Sequence, residues 1–323
     1  MKTLTDSSVT IDHQIGPRGR VTLRGTSGEI SLRGVEGDHV RVKADDEKAF
    51  RDRFSVELGK DSLDVNQNEK LGFGIFGRGE SVDLTVEVPH GATVKIETQS
   101  GDIAATDLSG SKSFRTASGE VILKRLAGPV EVETVSGDLE IEGQAPIDLK
   151  ARTVSGDVDI QVPVLRRLDL GTTSGDMGID ADLKGEGPFA LRTISGDVHF
   201  VVRSGVKIEA ETITGDLSSD LDSKRESGLG RKVMVVGRPG ATLSFRSVSG
   251  DLRAAKPRTA APPLEETAMT ESATGDQAAA TQAQTDSADA DAKRLEILRS
   301  LERGEISVAE AGEQLGALDE VLR

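Results

Sequence analysis

One acidic side chain recurs directly after a glycine through the middle of the chain, and these carboxylates have the clearest capacity for chemistry. Regularly spaced carboxylates can ligate Ca²⁺, and a suitably placed pair can cleave a glycosidic bond by acid and base catalysis. They can equally accept hydrogen bonds from backbone amides in turns. The residues in question, each part of a Ser/Thr-Gly-Asp/Glu tripeptide, are Asp102, Glu120, Asp138, Asp157, Asp176, Asp197 and Asp216.

The spacing of these carboxylates favours turn capping over metal binding. A calcium β-roll carries the nonapeptide G-G-x-G-x-D-x-U-x in each turn, whereas here one Gly-Asp pair occurs in about twice that length. We therefore predict no bound metal, and retain as weak cation candidates only Asp138, Asp157, Asp176 and Asp197. A glycosidase-like pair is disfavoured because the chain has no Trp or Tyr on which a sugar could stack.

No other motif predicts catalysis or a cofactor. The four histidines are isolated from one another, cysteine is absent, and no G-x-S-x-G elbow occurs. Gly72, Gly74 and Gly77 match G-x-G-x-x-G, but the pattern that follows is a strand and not the helix that a dinucleotide site requires. We predict that the loop around Phe73 to Phe76 folds over the end of the fold, with an exposed contact site as the alternative.

The elements that hold the acidic residues follow from an internal repeat. The motif glycines between Gly101 and Gly215 are separated by 18, 18, 19, 19, 21 and 19 residues, with an early copy at Gly28 and a late one at Gly250. The late copy lies 35 residues beyond Gly215, or about two periods. Threonine recurs three places before the glycine, and apolar residues recur five places before and two places after it. A spacing of two is the period of a strand, so each repeat holds a strand, a corner and a second strand.

Charge at the position four places before the glycine indicates how the repeats stack. The residues alternate in sign over Glu97, Arg115, Glu133 and Arg152, which suits parallel strands stacked in register about 4.8 Å apart. Propeller blades of about 40 residues are too long for this repeat. The fold class is therefore predicted as all-β, a parallel β-solenoid with coils of about 19 residues. In each corner we expect glycine to adopt positive φ, and Thr and Ser hydroxyls to bond along the stack.

The chain divides into four predicted regions. Residues 1–90 form irregular β coils that cap the solenoid, 91–255 form the regular repeats, 256–291 form a disordered linker, and 292–323 form an α-helical hairpin. The hairpin needs an apolar partner, which could be another copy of the chain, the β-solenoid or another protein. A DNA-binding helix-turn-helix is disfavoured because the second helix is acidic. The predicted interaction residues are Leu295, Leu298, Leu301, Val308, Leu315 and Leu318.

Composition limits the partners and the compartment. The formal charge of -15 disfavours nucleic acid, whose backbone is also negative. The chain shows no signal peptide and no run of about 18 apolar residues, so we predict no transmembrane segment and a cytoplasmic location. The alternative is a cell-surface location reached by a non-standard route.

The repeat resembles a known bacterial family. The TxSGDV-type repeats and the run VDLTVEVPHGATVKIETQSGDI at 82–103 are similar to β-strand-repeat proteins catalogued as candidate adhesins, a domain of unknown function. The tail RLEILRSLERGEISVAEAGEQLGAL resembles a short helical-hairpin module found in envelope-stress proteins. The resemblance implies a non-enzymatic scaffold.

The predicted function is therefore a β-solenoid scaffold or binding protein and not an enzyme. Its C-terminal hairpin is expected to bind a protein partner or another copy, in the setting of envelope-stress regulation. The alternative is an exported, adhesin-like surface protein. A carbohydrate-active or cation-binding protein is the less favoured third hypothesis.

Overall fold

The computed structural model describes residues 9–25, 27–68, 81–228 and 231–257. The Phe73–Phe76 loop, almost all of the predicted linker, and the predicted hairpin with its interaction residues from Leu295 to Leu318 lie outside the described residues.

The described part of the chain is almost entirely β-structure. Its N-terminal elements are β1 Val9–Gln14, β2 Arg20–Arg24, β3 Ile30–Val35, β4 His39–Ala44, α1 Glu47–Arg53, β5 Phe54–Leu58, β6 Ser62–Gln67 and β7 Leu84–Pro89. The central strands are β8 Thr93–Ser100, β9 Ile103–Thr106, β10 Lys112–Ser118, β11 Val121–Ser136, β12 Leu139–Arg152, β13 Val158–Gly171, β14 Met177–Leu183 and β15 Phe189–Arg192. The C-terminal strands are β16 Val198–Val202, β17 Val206–Thr212, β18 Leu217–Ser219, β19 Ser223–Gly228, β20 Arg231–Val236, β21 Ala241–Ser247 and β22 Leu252–Ala255.

The strands stack in two parallel rows, one on each side of the motif glycines. Row A contains the strand segments that precede each glycine, and row B contains those that follow it. The long strands β11, β12 and β13 contribute a segment to each row. In row A, Thr116 of β10 pairs with Thr98 on one side and Thr134 on the other. In row B, Val121 of β11 pairs with Ile103 and Leu139 in the same manner. The predicted parallel, in-register stacking is therefore confirmed, and the long mostly parallel sheet is solenoid-like.

Alternating side chains fill the space between the rows. In β8 the residues Val94, Ile96 and Thr98 are buried while their neighbours are more exposed, as a half-buried strand requires. The apolar column five places before the glycine and the column two places after it are both buried along the stack. Their small and branched side chains suit a core between closely apposed strands, which explains the scarcity of large aromatic residues.

The last copy of the motif occupies an unexpected position. In chain order the Gly250 coil follows the Gly215 coil, but β21 pairs in parallel with β15 on one side and with β17 on the other. In row B, β22 likewise lies between β16 and β18. The Gly250 coil is thus inserted between the Gly196 and Gly215 coils. Strand β20 pairs antiparallel with β17, and β19 pairs antiparallel with β20, so this hairpin covers that end of row A.

The N-terminal region extends both rows. Strands β2 and β3 stack in parallel on β8 and β9, so the Gly28 coil is a regular layer of the stack. Beyond it, β6 and β5 extend row A, and β7, β4 and β1 extend row B, with antiparallel pairs at the edges. Helix α1 was not predicted; it begins where the Asp46 side chain accepts a hydrogen bond from the Ala49 amide at 2.8 Å. No described helix has the length and hydrophobicity needed to cross a membrane.

Two of the predicted side-chain interactions differ in the structure. Arg115 lies between Glu97 and Glu133, at 3.7 and 2.8 Å, as the charge alternation predicts. Arg152, however, pairs with Asp169 at 2.5 Å and not with Glu133. Arg152 has a carboxylate on the neighbouring strand on each side, so charge alternation alone could not predict which of the two it would bind.

The threonines three places before the glycine bond within a coil and not along the stack. The Oγ1 atom of Thr172 donates to the carbonyl of Ser174, two residues later, at 3.0 Å, and Thr116, Thr134 and Thr153 make the equivalent bond. For these four residues the prediction of bonds along the stack was therefore wrong. One place before the glycine it is confirmed, since Thr214 Oγ1 donates to the Val248 carbonyl of the adjacent coil at 3.1 Å.

One threonine departs from this pattern and provides a matched test. Thr193 Oγ1 is buried without a hydrogen-bond partner, whereas Thr172 Oγ1 has one. Thr172→Val is expected to lower the free energy of unfolding by about 1 kcal/mol. Thr193→Val is expected to leave it unchanged or raise it slightly, because it removes an unsatisfied buried hydroxyl. Urea denaturation of both variants measures the difference, and equal losses would contradict it.

Candidate binding surface

The corners of successive coils stack backbone on backbone. At Gly156 the φ angle is +126°, and a methyl group at this position would collide with the carbonyl oxygen of Gly137 in the preceding coil. The same close approach continues through the stack to Gly250 and then Gly215. Glycine is required here both for its positive φ and for the absence of a side chain. The result is a narrow strip of bare backbone running along the corner.

Carboxylates that follow these glycines, or that follow Val82 where it takes the place of the stacked glycine, form a ladder from coil to coil. Asp157 Oδ1 accepts the backbone N–H of Asp176 at 2.8 Å, and the equivalent bonds measure 2.7 to 2.9 Å. We call these residues the aspartate ladder. Its members are Asp83, Asp102, Asp138, Asp157, Asp176, Asp197 and Asp251.

The ladder places the four weak cation candidates in a structural role. Asp138, Asp157, Asp176 and Asp197 each commit one carboxylate oxygen to an amide of the next coil. They cap the neighbouring coil and not their own turn, which is how the structure differs from the predicted turn capping. Across the described ranges, no group of three or more His, Asp or Glu side chains is arranged to hold a metal ion.

Aspartate and glutamate behave differently at this position. Glu29 and Glu120 also follow a stacked glycine or its equivalent, yet in the described residues neither side chain accepts the amide of the next coil. Glu29 Oε1 accepts the Ser31 hydroxyl instead, at 2.9 Å. The extra methylene group carries the carboxylate past the amide that an aspartate reaches.

This difference predicts that Glu120→Asp stabilises the protein. The shorter side chain is expected to accept the Asp138 amide and to raise the free energy of unfolding by about 1 kcal/mol. The reciprocal change, Asp157→Glu, is expected to lower it by a similar amount. Chemical denaturation of both variants checks the prediction. A loss of stability in Glu120→Asp would contradict it.

An exposed apolar ridge runs beside the ladder on the opposite side of the glycine strip. The residues two places before the glycine are 46 to 79% exposed despite being large and apolar. Thr173, which is also exposed, fills the one remaining position in the run. We call this surface the corner ridge. In stacking order it consists of Val135, Val154, Thr173, Ile194, Val248 and Ile213.

The backbone holds the corner ridge in place. The carbonyl of Val154 accepts the Ser174 amide at 3.0 Å, and Ile194 likewise accepts the Ser249 amide at 2.8 Å. The ridge and ladder residues lie three positions apart in each coil, and both are exposed. Six successive layers at about 4.8 Å give the ridge a length of about 24 Å. This is a continuous apolar strip with carboxylates along one side.

The electrostatic surroundings are asymmetric. On the row A side, charged residues neutralise one another, as in the pairs of Arg192 with Asp169 at 2.5 Å and Arg246 with Glu211 at 2.9 Å. There the hydrogen bond from Lys95, reinforced by Arg24, lowers the pKa of Glu97. Among the described residues, no Lys or Arg forms an ion pair with any ladder aspartate. Lys232 reaches Asp216, which follows the last glycine of the stack, at 2.9 Å. The ladder is therefore a line of uncompensated negative charge.

The histidines occupy separate places. His13 and His90 contact the carbonyls of Gly59 and Asp107 at 2.7 and 2.6 Å, and His39 contacts Asp12 at 2.5 Å. His199 lies in an open groove of about 580 Å³ on row B. In that groove Asp180 forms an ion pair with Arg203, and Asp220 forms one with Arg253. Asp159 accepts a hydrogen bond from the Gln161 side chain at 3.3 Å. The structure does not bring the histidines together.

The repeat, the parallel stack and its bare glycine strip lead to the comparison with known families. Residues 20–255 match the Toastrack DUF4097 family. The chain belongs to this family. The match covers every motif glycine from Gly28 to Gly250, so the resemblance to a β-strand-repeat family is confirmed. It does not extend to the tail, whose resemblance to a helical-hairpin module stays a prediction.

Three solved structures are similar to this Toastrack chain over about three quarters of its length. A candidate adhesin from Bacteroides fragilis is 12% identical, with 77% of this chain and 98% of that chain covered and a TM-score of 0.46. A candidate adhesin from Parabacteroides distasonis is 10% identical, with 77% and 97% covered and a TM-score of 0.44. A candidate lipid-binding protein from the same species is 12% identical, with 76% and 96% covered and a TM-score of 0.41. No curated protein matches the chain.

The sequence motif located five of the seven ladder aspartates, namely Asp102, Asp138, Asp157, Asp176 and Asp197, whereas the corner ridge was not predicted. Its signal was present, because a position two places from the glycine lies one step outward from the buried threonine column. Val135, Val154 and Ile194 could therefore have been predicted as exposed apolar residues.

Proposed function

We propose that this Toastrack protein is a non-enzymatic scaffold that binds a macromolecular partner along the corner ridge. The observation that carries the proposal is the ridge itself. A run of Val and Ile side chains is held outward by a hydrogen-bonded backbone in a protein that buries its other repeated apolar columns. Contiguous exposed apolar surface is typical of interaction sites.

Site-specific photo-crosslinking tests this proposal. A photo-crosslinking amino acid is placed at Ile194 or Val154 in the full chain, and the protein is expressed in its native host. The control position is Lys150, which is exposed on row A. Discrete crosslinked species at both ridge positions and none at Lys150 are expected. Equal crosslinking at all three positions, or none at the ridge, would contradict the proposal.

We propose a second role for the predicted hairpin at 292–323, namely recruitment of a protein partner or another copy in envelope-stress regulation. The support is its amphipathic sequence pattern and its resemblance to a module of envelope-stress proteins. Deletion of 292–323 is expected to change the oligomeric state or the set of bound proteins, and to alter growth under envelope damage. If none of these changes, the second role is wrong.

We also propose a cytoplasmic location. Cell fractionation with an antibody to the β-solenoid distinguishes this location from the exported, adhesin-like alternative. A signal confined to the cytosol is expected. Protein at the cell surface would favour the alternative.

A further inference from the structure

We propose that the partner segment is a basic amphipathic α-helix, whose apolar stripe packs on the corner ridge while its Lys and Arg side chains face the aspartate ladder. This inference rests on the proposed function, since it assigns the chemistry of the ligand to the same surface.

Charge selects a basic partner. In each ridge layer from Val135 to Val248 the ladder places one carboxylate that no described Lys or Arg pairs with, at a spacing of about 4.8 Å. On the opposite flank the charges are already paired within the protein, through Arg152, Arg192 and Arg246. The surface therefore attracts cationic side chains on one flank only. Nucleic acid and anionic membranes are repelled by the same carboxylates.

The backbone excludes a partner that adds a β-strand. Strand addition requires free N–H and C=O groups at an edge. Along the ridge the carbonyls of Val135, Val154, Thr173, Ile194 and Val248 all accept an amide of the next coil. Because these acceptors are occupied, an added strand could not pair with them, and a partner that presents side chains with its own backbone already satisfied fits the ridge better. A helix meets that condition.

The spacing also suits a helix. One helical turn rises about 5.4 Å, close to the layer spacing of about 4.8 Å, whereas alternate residues of an extended strand are about 6.6 Å apart. A helix of about 16 residues spans the ridge of about 24 Å. The ridge and ladder are three residues apart in each coil, a span of about 10 Å, which a helix about 10 Å in diameter covers.

A designed peptide serves as the probe. The peptide has 18 residues with Leu at helical spacing, Lys along one flank of the Leu stripe and a fluorescent label. The control peptide carries Glu at every Lys position. Fluorescence anisotropy with the full-length protein measures both affinities between 50 and 300 mM salt. The Lys peptide is expected to bind with an affinity that falls as salt rises, and the Glu peptide is expected not to bind.

Three variants separate the contributions of ridge and ladder. The triple variant D157N/D176N/D197N keeps the Oδ1 acceptors of the ladder while removing three charges, and is expected to bind the Lys peptide about tenfold more weakly with a flatter salt dependence. The double variant V154N/I194N is expected to bind it about a hundredfold more weakly. The matched control E57Q/D61N/D64N removes three carboxylates at the opposite end of the stack and is expected to bind like the wild type.

The outcomes separate this inference from the proposed function. If the wild type fails to bind the Lys peptide, or if the ladder and control variants weaken binding equally, the partner is not a basic helix directed to the ladder. In either case the crosslinks at Ile194 and Val154 still test, independently, whether a partner binds at the corner ridge. Circular dichroism of each variant confirms that the fold is intact before binding is compared.

Discussion

Gly156→Ala is expected to lower the free energy of unfolding by about 3 to 5 kcal/mol, the combined cost of a strained φ and an overpacked backbone contact. The residue lies in the middle of the stack at φ +126°, and a Cβ atom would overlap the Gly137 carbonyl group. The obstacle is backbone that is itself hydrogen-bonded into a layer, so it cannot move aside without shifting the whole coil. A thermal or urea denaturation curve gives the size of the loss.

Two other glycines separate the two costs. Gly37 has φ +121° but open space around it, so Gly37→Ala reports the conformational cost alone, about 1 to 3 kcal/mol. At Gly101 the φ is not in the left-handed region, but a methyl group would collide with the Gly28 carbonyl oxygen. Gly101→Ala therefore reports crowding alone. If Gly156→Ala cost no more than Gly37→Ala, close backbone stacking would not be what requires glycine in the corners.

The second large effect concerns a buried lysine. Lys112 begins β10 with its side chain 2% exposed, and its Nζ donates to the carbonyls of Leu108 and Ala127. Desolvation lowers the pKa of this ammonium group from 10.5 to about 8. In the unfolded chain the same group keeps its ordinary pKa.

The stability of the protein is therefore expected to rise with pH above neutrality. Below about pH 8 the lysine is charged in both states, and its burial costs about 3 kcal/mol. Between pH 8 and 10.5 the unfolded chain binds more protons than the folded one, so the free energy of unfolding increases with pH. The expected gain between pH 7 and 10 is about 2 to 3 kcal/mol. The chain contains no Cys or Tyr that would titrate in this window.

Lys112→Met isolates this effect. The variant is expected to lose the rise in stability between pH 7 and 10, while Lys48→Met, at an exposed position on α1, is expected to keep it. The Leu108 carbonyl still accepts the Ala127 amide at 2.9 Å in the absence of the lysine, so only the Ala127 carbonyl loses a donor. Denaturation at three pH values measures the slope. Parallel slopes for wild type and Lys112→Met would show that burial of the charge is not responsible.

Periodic features of the fold were predictable because each repeated column reports the same environment many times. The threonine three places before the glycine recurs in all seven copies from Gly101 to Gly215, with apolar residues at constant offsets, so the burial pattern follows from a period of two. Glycine with positive φ followed from the same repetition and is confirmed in most corners, but not at Gly101 or Gly215. The Glu97, Arg115 and Glu133 charges were also predicted correctly, because each has its opposite in the neighbouring layer.

Features that depend on a single choice between equivalent neighbours were not predictable. The Gly215 and Gly250 motifs are chemically alike, so nothing in the spacing of 35 residues says which is the outer layer. Arg152 had a carboxylate on each side and pairs with Asp169. In the binding surface, the ladder carboxylates were located by their motif. Their hydrogen bonds to the next coil depend on a side-chain length that separates Asp157 from Glu120, which only the three-dimensional arrangement shows.

The insertion of β21 between β15 and β17 also affects how the protein can be made. A ribosome releases the chain from its N-terminus, and layers up to the Gly196 coil can add to one another in that order. The Gly215 coil is synthesised next, but the layer on which it rests emerges about 35 residues later. In the finished structure β17 lies two strand spacings, about 9.6 Å, from β15, and until residues 241–255 emerge no strand fills that space. Closure of the stack therefore waits until residues 241–255 have emerged and enter from the side.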